Sequence, residues 1–304
     1  MNKKFGISQA ILLVLCLGLL FSGCKGGTKP TEEDVTVPVS KDSKVYDDIK
    51  QAEKIFNALP SPLESAQLIK SAGANFDQNQ MNPISNVSSY ATTKSMALNL
   101  GIYTCDLSFA SMYEQTQLII DYMNAAKKMA DGLGILDAIS QETIDGLEQN
   151  INNSEYIMDV VSETFMNSNS YLEENGQPAV AAMVLVGGWF EGLYISTQLV
   201  DMNEFNGNKL VSRIIDQKLS IDILLKLLES SKGNPAVDEI MAQVSKLKVV
   251  FDKININSSP IKTEYDQASN STILKSEVKT DMTPAVFKEL ASTVAEIRNT
   301  FVKI

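Results

Sequence analysis

Apolar residues recur along most of the chain at the spacing of an α-helix. Val45, Ile49, Ala52, Phe56 and Leu59 share one face, and Pro60 ends the run. Ser61-Pro62-Leu63-Glu64 combines a capping box with proline at the first helical position, predicting a short helix that stops near Gly73. After a polar loop around 75–89, Tyr90 to Tyr113 predicts a long apolar helix and Glu114 to Asp131 an amphipathic one, broken by Gly132 and Gly134. Ser140 caps a helix to about Ile151. Ser154-Glu155 starts another that reaches Glu174 and stops at Asn175-Gly176. Pro178 opens the most apolar run after the N-terminal region, 178–200. Lys209 to Ser231 is apolar on nearly all sides, as a central helix would be. Val237, Ile240, Met241, Val244, Leu247, Phe251 and Ile254 trace a stripe. So do Phe287, Leu290, Val294, Ile297 and Phe301 in a last helix opened by Thr283-Pro284.

These stripes predict an all-α fold, an antiparallel helical bundle or array of about nine helices. One segment breaks the pattern. Residues 260–281 are polar with some alternation: Ile261, Thr263 and Tyr265 on one run, then Ile273, Leu274, Ser276 and Val278, with Gln267 to Ser271 between. A small β-hairpin packed on the helices and a disordered loop both fit that text. No fixed-period repeat is present, which disfavours a solenoid.

The N-terminus has the three parts of a secretory signal. Lys3 and Lys4 are positive, Ala10 to Phe21 is an uncharged apolar run of twelve, and Ser22 and Gly23 are small. Twelve residues are too few to span a bilayer, which takes about 17 or more. Leu20-Phe21-Ser22-Gly23-Cys24 resembles the bacterial lipobox, with Phe21 a less usual occupant of its position. The resemblance implies cleavage before Cys24 and acylation of that cysteine. The expected organisation is a signal peptide over 1–23, a lipidated flexible tether over 24–43 and a helical domain over 44–304. A tether of that length reaches roughly 25 Å. Two or three acyl chains hold a protein firmly where one holds marginally. The expected location is the cell envelope, by lipid anchor, at the outer membrane, periplasmic or surface-exposed.

Composition removes several chemistries. With Cys16 cleaved and Cys24 acylated, Cys105 is the one thiol left, so no internal disulfide and no cysteine-rich zinc site forms. The chain has no histidine. That excludes Ser-His-Asp and Cys-His catalysis, histidine-containing zinc sites and histidine-ligated haem, and the GxHxxE motif of imelysin-like lipoproteins. No cofactor or metal is implied. The formal charge is −11, and loss of Lys3 and Lys4 takes it to −13, which repels nucleic acid and anionic headgroups.

Two features invite a chemical reading. Glu191 is the single formal charge between Ala179 and Val200. A carboxylate there must be paired, hydrogen-bonded or protonated. It reads either as half of a buried ion pair, with Arg213 on the next helix as partner, or as a pocket acid beside Trp189 and Tyr194. Asn99, Tyr103, Asp106 and Tyr113 form a polar stripe on an otherwise apolar helix. It reads either as a solvent edge or as the lining of a ligand site. Gly101 marks a tight crossing, and Gly187-Gly188 is its candidate counterpart, which would let Asp106 and Glu191 face each other. Cys105 reads as a core thiol. A transmembrane reading of 178–200 is disfavoured by Glu191 and by the polar Ser196, Thr197 and Gln198.

The lipobox and the stretch Leu185-Val186-Gly187-Gly188-Trp189-Phe190-Glu191-Gly192-Leu193-Tyr194 resemble uncharacterised helical lipoproteins of Gram-negative gut-type bacteria. That resemblance implies no established activity. The expected function is a membrane-anchored, non-catalytic envelope protein that binds an envelope protein, a small molecule or a glycan, or has a structural role. The alternative is a glycan hydrolase using Asp106 and Glu191, since two carboxylates are the minimum for that reaction.

Overall fold

The helices begin where capping side chains place them. In a computed structural model describing residues 59–136, 139, 141–258, 262–266, 271–275 and 278–303, Ser61 and Glu64 form the reciprocal capping box of α1 (Pro62–Ser71). Thr92 and Ser95 cap α2 (Thr93–Met112) in the same way. Glu114, at φ 57°, then turns the chain into α3 (Thr116–Gly132). α4 (Gln141–Gln149) follows, then α5 (Ser154–Glu174), capped by Asn153 and ended at Gly176 with φ 72°. Proline opens α6 (Pro178–Gln198), α8 (Pro235–Phe251) and α9 (Pro284–Val302), where its missing N–H costs nothing. Asn208 caps α7 (Lys209–Glu229). The fold is all-α in character. The stretch Val45 to Phe56, the expected cap Ser140, and the signal and tether all lie outside the described residues.

Between α8 and α9 the chain runs as two antiparallel strand pairs. β1 (Ile256–Ser258) pairs with β4 (Val278–Thr280), and β2 (Lys262–Asp266) pairs with β3 (Ser271–Lys275). Thr263 stands opposite Leu274 and Tyr265 opposite Thr272, so Ser271 belongs to a strand and not to the turn. Asn255 closes the base by donating from its backbone and side-chain nitrogens to Asp281, both at 2.6 Å. Gln267 to Asn270 lie outside the described residues.

The centre of the fold is α2 against α6, the most extensive helix pairing. Every residue from Ala97 to Ser111 and from Val180 to Leu193 is buried. α7 is not the central helix its composition suggests. It buries Leu210, Ile214, Ile221, Leu224 and Leu228 against its neighbours and leaves Leu219 70% exposed. α6 is long and apolar enough to cross a membrane, yet 83% of its apolar window is buried inside the protein.

The α2–α6 contact is one of backbone on backbone. A Cβ at Gly101 would lie 2.0 Å from Val184 O and 2.6 Å from Gly188 N, and one at Gly187 would lie 2.0 Å from Leu98 O. Gly101→Ala or Gly187→Ala must therefore push the two helices apart. Overpacking of this kind typically costs about 1–3 kcal/mol, occasionally more. Gly132→Ala meets only the flexible end of Met96. Chemical denaturation should show a loss above about 2 kcal/mol for either crossing glycine and clearly less for Gly132→Ala.

Candidate functional site

The α2 stripe points inward, at the chain's own loop. Asn82, fully buried between α1 and α2, donates its backbone N–H to Asp106 Oδ2 (3.0 Å) and its amide to Asn99 Oδ1 (3.0 Å) and Tyr90 OH (3.1 Å). Its carbonyl accepts from Tyr122 OH at 2.9 Å. Tyr103 OH donates to Pro83 O (3.2 Å), and Tyr113 OH donates to Ala74 O (2.6 Å). Asn99 also donates to Phe301 O (3.0 Å), and Tyr90 OH to Val302 O (3.2 Å), so the end of α9 joins the same network. The loop enters the core at Met81 and Asn82, and the polar groups buried there need partners from side chains. The stripe is therefore neither a solvent edge nor the wall of a ligand site. Three of its four residues are fully buried, and Tyr113 is half-buried.

Glu191 is also fully buried, and its partner is Arg298 on α9, not Arg213. Arg298 donates Nε–H to Oε2 (2.8 Å) and a terminal N–H to Oε1 (2.6 Å), a two-pronged ion pair in which Arg298 is 5% exposed. The guanidinium also stacks over the half-buried Tyr194 ring at 4.6 Å. Burial pulls the Arg298 pKa down, and the Glu191 charge and hydrogen bonds more than reverse it, so the side chain stays cationic. Arg213 instead lies on the exposed face of α7, 3.4 Å from Asp216. Arg213 borders the small gap between α1, α6 and α7, but its guanidinium pairs with Asp216 and not with Glu191.

The glycine crossing brings Asp106 and Glu191 together. Burial, then the neighbouring Glu191 charge, push the Asp106 carboxyl well above its ordinary value of 3.8, against the opposing pull of Arg298 and the Asn82 N–H. Oδ2 accepts from Asn82, while Oδ1 is buried and has no partner. The neighbouring Glu191 side chain adds to the rise, and the shift favours the protonated form of Asp106. Burial likewise raises the Cys105 thiol, which has no base beside it. Among the described residues no cluster of three or more His, Cys, Asp or Glu is arranged to hold a metal ion.

Neither carboxyl opens onto a cavity. Beside Trp189 lies a gap of about 20 Å³ between α1, α6 and α7, room for one water. Trp189 is buried there and donates Nε1–H to Gln217 Oε1 at 3.1 Å. A larger cleft of about 90 Å³ lies elsewhere, where α2, α3, α4, α5 and α6 converge, and it is partly open to solvent. Its walls include Leu100, Leu107, Leu147, Val161, Leu172 and Val184. Of the residues singled out in the sequence, none lines it.

The residues that complete the core network, Asn82, Tyr90, Tyr122 and Arg298, escape sequence reasoning to different degrees. Arg298 carried a usable signal: it falls four residues after Val294 and three before Phe301, a charge on the apolar face of the last helix. Asn82 and Tyr90 sit in or beside an aperiodic loop and carry none. Comparison with known protein families, curated proteins and solved structures finds no match.

Two measurements probe the network. Glu191→Gln and Arg298→Met should each cost about 3–5 kcal/mol, because each strands a buried partner, and the double substitution should cost less than their sum. Arg213→Met should cost under about 1 kcal/mol. The second concerns pH. Above pH 4 the unfolded chain releases the Asp106 proton while the folded protein keeps it, so this group's stabilisation is full at low pH and is lost as pH rises. Asp106→Asn donates from the same place with no proton to lose. Its stability relative to wild type should climb with pH, by up to about 1.4 kcal/mol per unit, in urea denaturation from pH 4 to 7.

Proposed function

We propose that the chain is a lipid-anchored lipoprotein of the cell envelope whose helical domain binds a ligand or partner without catalysing a reaction. The observation that carries this reading is the sealing of Asp106 and Glu191. Both are fully buried, Asp106 accepting from Asn82 and Glu191 from Arg298. Glycoside hydrolysis needs one carboxyl on each side of a sugar, about 5–9.5 Å apart, with the bond to be broken between them. Two carboxyls sealed from solvent inside the core leave no room for it. The raised Asp106 pKa resembles that of a general acid, but burial beside a second carboxylate produces the same shift without catalysis.

The anchor part of the proposal rests on the signal and the lipobox residues through Cys24, which lie outside the described residues. The acidic surface is consistent with a domain held near a membrane by its lipid and not by its charge. Cys24→Ser should leave the chain unprocessed or soluble in membrane fractionation. Normal processing and full membrane retention of that variant would reject the anchor. Glycan hydrolysis that disappears in Asp106→Asn at unchanged stability would instead favour the hydrolase.

A further inference from the structure

The cleft between α2, α3, α4, α5 and α6 is both unfilled and accessible. At about 90 Å³ it exceeds several-fold the 10–15 Å³ or so that one water needs. Its walls are almost wholly hydrocarbon, and an apolar space of this kind is poorly satisfied by water. Bundles commonly place their ligand sites at such convergences of helices.

Two polar groups on the wall stand out against the hydrocarbon. Lys127, on α3, is half-buried at the cleft and makes no ion pair or hydrogen bond among the described residues. Lys127 is the one charged residue among those that line the cleft. Asn169, on α5, is 6% exposed on the same wall, and its Oδ1 receives no donor. Asn169 Nδ2 donates to Glu173 at 3.3 Å, so the carbonyl oxygen is its one unmet polar atom.

We infer that this cleft binds a single-chain amphiphile with an anionic headgroup, the hydrocarbon lying among Leu107, Val161 and Leu172 and the anion meeting Lys127. The inference deepens the reading of a non-catalytic binding domain and rests on it. Carboxylate and phosphate headgroups share the required chemistry: each is a compact anion for a lysine ammonium. A free fatty acid supplies the first and a lysophospholipid the second.

Calorimetric titration tests this with the full chain carrying Cys24→Ser, so that no attached acyl chain competes for the cleft. The probes are dodecanoate, dodecyl phosphate and dodecanol. Both anions should bind, at least tenfold more tightly than the alcohol, and the tighter of the two names the headgroup. Lys127→Met keeps the apolar stem and should weaken the anions about tenfold while leaving dodecanol unchanged. Ala126→Phe fills the cleft and should abolish all three. Lys127 is half-buried and makes no ion pair or hydrogen bond among the described residues, so Lys127→Met remains informative should Ala126→Phe fail to fold. Equal binding of dodecanol and the anions, or anion binding indifferent to Lys127→Met, overturns the headgroup assignment. Failure of all three probes overturns the ligand class, and membrane fractionation of the same variant separately reads the anchor.

Discussion

The structure depends on two helices being allowed to touch along their backbones. Gly101 and Gly187 lack the side-chain carbon that would hold α2 and α6 apart, and the close crossing follows. From that approach come the uninterrupted burial of both helices and the meeting of two carboxyls, one from each. A pair of acids in an apolar interior is a liability unless the charge is reduced and balanced. Here burial favours the protonated form of Asp106, and one arginine, arriving from α9, pairs with Glu191. The remaining helices can be described by which side of this crossing they cover.

The polar stripe of α2 answers a second requirement. A loop whose backbone is carried into the interior must have its N–H and C=O groups met, and regular structure cannot do it there. Asn99, Tyr103, Asp106 and Tyr113 supply the partners, and Asn82 alone makes contact with Asp106, Asn99, Tyr90 and Tyr122. In this sense the stripe is a recognition surface whose partner is covalently attached. Its residue types resemble those of a ligand site because the chemistry of satisfying a buried backbone is the same in both cases.

What the sequence made legible was local. Caps such as Ser61-Pro62-Leu63-Glu64 and stripes such as Phe287 to Phe301 depend on neighbours within a turn or two, and they placed the helices to within a few residues. The glycines at 101 and 187–188 were legible as a crossing because nothing else explains small residues on such apolar faces. The partner of Glu191 was not. Arg213 is near in sequence, whereas Arg298 is 107 residues away, and only the third dimension brings it to Glu191. The composition of α7 misled for a related reason: lysines and serines flanking leucines hide an exposed edge that only its neighbours reveal. The apolar cleft was invisible because it is a space, made by five helices that each show an ordinary core face.

The position of Arg298 ties two parts of the core to one helix. α9 brings the cation beside Glu191 and, through the backbone carbonyls of Phe301 and Val302, the acceptors for Asn99 and Tyr90. Any shift of that helix therefore loosens the acid pair and the buried loop in a single motion.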